Sequence, residues 1–143
     1  YFNYKQDGAG IKQLVDSLKK TYKQIVIGIH DFSRSPVNNF NISKPAIELA
    51  TQLQQLNNSI TFVFGNPYAI KNWCGAPNLV ACYEDDEIVH NTAADLLEGK
   101  INAKGTLPVT VCDQFHYGSG LITNGFFLPR QSQQPLASTA PNF

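Results

Sequence analysis

His30-Asp31, with Arg34 three residues on, is the first place along the chain where side chains could do chemistry. A histidine and a carboxylate at the end of a strand can form a proton-transfer pair. Neighbours on an extended segment point to opposite sides, so these residues read either as groups near a substrate or as ordinary loop. A second group is Asn66, Tyr68, Asn72 and Trp73. Amides suit sugar hydroxyls and aromatic faces suit pyranose rings, although the same rings could pack the loop onto a neighbouring surface. The third group is the run Glu84-Asp85-Asp86-Glu87. Paired carboxylates can run acid–base glycoside chemistry. They also cap helices and favour the positive end of the helix dipole, and this second role asks for nothing beyond the residues in view.

Other motifs carry less. Gly8-Ala9-Gly10 precedes a helical pattern but follows no strand, and it lacks both the third glycine of a dinucleotide loop and the Gly-Lys-Ser/Thr of a phosphate loop. It reads as the start of a helix. His116-Tyr117-Gly118-Ser119-Gly120 puts a serine near a histidine without the strand that a nucleophile elbow needs, and reads as a turn. The three cysteines, Cys74, Cys82 and Cys112, form no C-x-x-C pair, and the three histidines are scattered. That gives no zinc spacing, so neither a metal nor a cofactor is expected. An odd number of cysteines cannot all pair within one chain, and they read as small buried or half-buried thiols.

The elements that must position these groups alternate. Residues 8–22 carry Ile11, Leu14, Val15, Leu18 and Tyr22 at helical spacing. The β-branched run 24–30 reads as a buried strand, and 31–41 as a loop. Ser43 and Pro45 open a second helix with Ile47, Ala50, Leu53 and Leu56 inward. Residues 60–65 and 78–83 read as two more strands, and 104–111 as an extended segment in which Pro108 suggests a sheet edge or a strand start. Asp85 or Asp86 caps a third helix, with Val89, Ala93, Leu96 and Leu97 inward and Gly99 at its end. The pattern implies an α/β fold, a three-layer α/β/α sandwich with a mainly parallel sheet and flavodoxin-like layering. Ligands meet such sheets at the carboxyl ends of the strands, which here means loops 31–42, 65–77 and 84–86.

The chain has 143 residues, 43% of them hydrophobic, and no net formal charge. This suffices for one domain with a core. Zero net charge argues against nucleic acid or an anionic membrane as a main partner, and no apolar run approaches the length of a membrane span. A chain without Met that starts at Tyr1 reads as a piece of a longer protein. The composition separates a domain at 1–123 from a Gln-, Pro- and Ser-rich linker or tail at 124–143.

Three segments, "IVIGIHDFSRSP", "FVFGNPYAI" and "LVACYEDDEIVHNTAADLLEGKINAKGTLPVTV", resemble in order the second domain of glycoside hydrolase family 3. The most specific part is Gly99-Lys100 followed by Lys104-Gly105-Thr106-Leu107-Pro108-Val109-Thr110, with Lys104 where the family has Ser and Glu98 where it has Phe. The β-glucosidase branch takes its catalytic acid from a Glu just after a Gly at the end of the strand matching 24–29. Here Gly28 is followed by Ile29, His30 and Asp31. The chain is therefore similar to the β-N-acetylhexosaminidase branch, whose catalytic groups lie in an N-terminal (β/α)8 barrel. The resemblance implies an accessory domain packed on that barrel, with no catalytic residue of its own and with His30, Asp31, Arg34, Asn66, Tyr68 and Trp73 on a rim facing a carbohydrate substrate. It also implies that 124–143 leads toward a downstream serine hydrolase domain, and that the whole protein is exported to the periplasm or outer envelope of a bacterium.

Overall fold

The first helix, α1 (Ile11–Thr21), starts directly after Gly8-Ala9-Gly10 and buries Ile11 and Val15, two positions one helical turn apart. It belongs to a computed structural model that describes residues 8–123. The expected linker at 124–143 lies outside the described residues. Strand β1 (Ile25–Ile29) follows, then α2 (Lys44–Gln54), β2 (Ser59–Val63), β3 (Leu79–Ala81) and α3 (Glu87–Leu97). Two helices start where a side chain satisfies their free N–H groups. Ser43 accepts from the Ala46 N–H at 3.2 Å with Pro45 in the first turn, and Asp86 accepts from the Val89 N–H at 2.9 Å.

The three strands form one parallel sheet in the order β1-β2-β3. The fold is thus α/β with a parallel sheet. Alternation along β2 divides the core. Val63 faces one way, into a cluster with Ile11, Val15, Ile25, Ile27, Ala50 and Leu53 from α1, β1 and α2. Ile60, Phe62 and Phe64 face the other way, against Ala93 and Leu96 of α3. The buried polar pair between α2 and β2 is satisfied, since the Gln54 amide donates to Thr61 Oγ1 at 3.0 Å. β1 is covered on one side only: Ile25 and Ile27 are buried, whereas Val26 is 51% exposed. Among the described residues, no helix is long and apolar enough to cross a membrane.

Two sequence expectations are corrected. The segment 104–111 forms no strand. The Leu107 N–H donates to the Ser119 carbonyl and the Leu107 carbonyl accepts from Gly118, so the backbone closes on its own return path instead of joining β3. Pro108, which has no N–H to offer a ladder, sits in the middle of it. The cysteines are not all thiols either: Cys74 and Cys112, 38 residues apart, form a disulfide, leaving Cys82 free. The odd count left one cysteine over but said nothing about whether the other two met.

Candidate functional site

Three strands that run the same way bring the loops after β1, β2 and β3 to one end of the sheet. The turn after β2 shows how closely they gather. Gly65 has φ 116°, and the Phe32 ring would stand 3.0 Å from any β-carbon placed there. Only glycine meets both demands without strain. The opposite loop is bent harder: Asn38, Asn39, Phe40 and Asn41 all have φ between 51° and 60°. Asparagine tolerates that region and phenylalanine does not. Phe40 is held there because its ring is fully buried, edge-on to Phe32 at 6.1 Å and beneath the Lys71 ammonium at 5.3 Å.

His30 follows β1 directly. Its ring lies back over Gly28, so close that a β-carbon there would be 2.6 Å from Nε2. The ring also stacks on Phe64, with centroids 4.2 Å apart and planes 12° from parallel. Its other nitrogen, Nδ1, is 3.0 Å from Asp85 Oδ1. His90, in the first turn of α3, brings Nε2 to within 2.7 Å of the same oxygen. Its ring meets Phe64 edge-on at 4.9 Å. The second oxygen, Oδ2, accepts the Asp31 N–H at 2.8 Å. Asp31 has φ 56°, a conformation that aims this N–H at Asp85. Burial alone would raise the Asp85 carboxyl, but hydrogen bonds from His30, the Asp31 backbone and His90 outweigh it and bring the group down to about 2.

His30 therefore does find a carboxylate, but it is Asp85 and not its neighbour Asp31. Asp31 contributes its backbone. Of the acidic run, Asp86 caps α3, Asp85 takes the two histidines, and Glu84 accepts from Arg34 at 3.0 Å. Arg34, Asn66, Pro67, Tyr68, Tyr83 and Glu84 surround a shallow cavity of about 290 Å³ beside this cluster. Within it Asn66 fastens the loops: its amide donates to the Arg34 carbonyl at 2.9 Å, and its oxygen accepts from the Tyr68 N–H at 3.0 Å. Tyr68 is exposed.

Trp73 is a correction. It is 2% exposed and lies in the core with Ala69 and Ile70, so it presents no face to a sugar. The helical segment Pro67–Trp73 turns that side of the loop inward. Ile70 and Trp73, three residues apart, carry that signal in the sequence. His90 was missed altogether. Its signal is its place five residues after Asp85, at the start of a helix capped by Asp86.

A second concavity lies elsewhere, a largely apolar groove of about 760 Å³ between β3, α3 and the 101–123 segment. Cys82 lines it, and burial, with the Asp85 charge second, pushes its thiol up to about 12.

In comparisons with known proteins, no family model, no curated protein and no solved structure matches the chain.

Proposed function

We infer that this chain is the accessory α/β domain of a family 3 glycoside hydrolase of the β-N-acetylhexosaminidase branch. The larger protein cleaves O-glycosyl bonds of N-acetylglucosaminides, cell-wall fragments among them, by retaining hydrolysis through a covalent glycosyl intermediate. A (β/α)8 barrel in the same polypeptide supplies the nucleophile and the acid. This domain buttresses the barrel in a flavodoxin-like three-layer arrangement and edges its active site. The observation that carries the reading is the gathering of Arg34, Asn66 and Tyr68 around one solvent-open cavity at the carboxyl end of the sheet, at the place where α/β sheets meet their ligands. The Cys74–Cys112 disulfide supports an exported protein, because such bonds persist in oxidising compartments.

The alternative, a non-catalytic sugar-binding or interdomain structural module, draws on the burial of Trp73. With that ring in the core, Tyr68 and Tyr83 are the aromatics at the cavity, and the balance within this alternative moves toward a purely structural module.

The test is release of nitrophenol from an aryl N-acetyl-β-glucosaminide. The polypeptide that includes the barrel turns over, and this chain alone does not. In the full polypeptide, Tyr68→Ala raises KM severalfold and leaves kcat within about twofold, as loss of a contact made equally in ground and transition states should. Turnover by the isolated chain that disappears in His30→Ala overturns the accessory reading and makes the strand-end cluster an active site.

A further inference from the structure

We propose that His30 Nδ1, Asp85 Oδ1 and His90 Nε2 form a binding site for a divalent first-row transition ion of the zinc class. Two imidazole nitrogens and one carboxylate oxygen are a donor set that suits such an ion and suits magnesium or calcium poorly. The three donor atoms come from a strand end, a loop and a helix start, and all lie within 4.8 Å of one another. Both histidines already converge on a single oxygen, at 3.0 and 2.7 Å. Around a tetrahedral ion the donors would stand about 3.3 Å apart, so each of these two contacts opens by well under 1 Å as the ion replaces the shared protons.

The donors are held from outside in the manner of a metal centre. The Asp31 N–H fixes the second carboxylate oxygen at 2.8 Å and leaves Oδ1 to the ligand. The Phe64 ring supports both imidazoles, one face-on and one edge-on. Gly28 decides which nitrogen His30 presents, because the space beside it takes the Nε2 edge of the ring and turns Nδ1 outward. All three ligand residues are exposed, so the site opens to solvent and keeps a coordination position for water or a substrate oxygen. Bound there, the ion would tie the end of β1 to the start of α3, on the side of the sheet where β1 has no covering helix.

This inference does not depend on the glycosidase reading, and its test needs only the chain itself. The protein is stripped with a chelator and titrated with ZnCl2 by calorimetry and with CoCl2 by visible absorption, whose d–d bands report tetrahedral nitrogen and oxygen ligation. One equivalent binds. His30→Ala and His90→Ala each weaken binding by at least about tenfold, as does Gly28→Ala, which moves the His30 ring without removing a donor. His116→Ala, outside the cluster, leaves binding unchanged. Circular dichroism establishes that each variant is folded. No binding to the stripped wild type, or binding that survives in both His30→Ala and His90→Ala, overturns the site and leaves a hydrogen-bonded His-Asp-His cluster that shares protons only.

Discussion

β1 and β2 are both short apolar strands, and they are buried in different ways. Every residue of β2 is buried, whereas β1 alternates and leaves Val26 and Gly28 open. The difference lies in what reaches them. On one side of the sheet α1 and α2 carry a cluster that runs from Ile25 and Ile27 across to Val63 and Trp73. On the other side the apolar layer is small, built on Ile60, Phe62, Phe64, Ala93 and Leu96 with Val80 of β3 against it, and it includes no residue of β1. The His30–Asp85–His90 cluster stands at the border of that thin layer, with Phe64 as its floor. A polar group this open to solvent needs such a border: the thick side would strip it of water, and a bare surface would leave its rings unsupported.

The sharpest way to break this contrast is to cut the same side chain from each face. Ile27→Ala on the thick side should cost about 4 kcal/mol, because the packed cluster cannot collapse into the gap. Ile60→Ala on the thin side should cost about 2–3 kcal/mol, because α3 can settle toward the open groove. Urea denaturation of the two variants measures the order. A larger loss for Ile60→Ala would mean that the thin layer is the rigid one.

The disulfide tests the next link. Cys112 lies in the stretch after α3 that has no sheet partner, and Cys74 ends the helical segment packed against the thick cluster. Replacing both by serine should lower stability by about 2–4 kcal/mol, the range for closing a loop of this length. Thermal melting of the double variant beside the oxidised protein reads this out. A shift close to zero would show that Leu107 and Phe115 hold the segment by packing alone.

These two predictions rest on features of unequal visibility in the sequence. The helices were legible because their caps and apolar periods agree: Ser43 with Pro45, and Asp86 with Ala93 and Leu96. The strands were legible as β-branched runs, and their parallel pairing followed from the helix between β1 and β2. The half-cover of β1 was not, because burial depends on where α3 lies and nothing in "IVIGI" records that. Of the site, His30 could be found by its place at a strand end. Its partners could not, since Asp85 is 55 residues away and His90 reaches it only once α3 has formed. Trp73 misled because an aromatic residue in a polar loop is equally suited to a rim or a core, and a single inward turn decided it.

The smallest expected effect probes the border cluster itself. The Asp85 carboxyl titrates at about 2 in the folded protein, against an ordinary 3.8. A folded value below the unfolded one means that the ionised group favours folding. That contribution is complete above about pH 5, where the unfolded carboxyl is also ionised, and is lost as pH falls toward 2. Because the group is open to solvent, screening holds the amount to less than about 1 kcal/mol. Asp85→Asn keeps the shape and removes the titration. The stability difference between wild type and Asp85→Asn, measured by urea midpoints, should therefore shrink steadily from pH 5 to pH 2. A difference that stays constant across that range would mean that His30, His90 and the Asp31 N–H do not engage the carboxylate in solution. The thin face would then carry a loose surface loop in place of an ordered polar cluster.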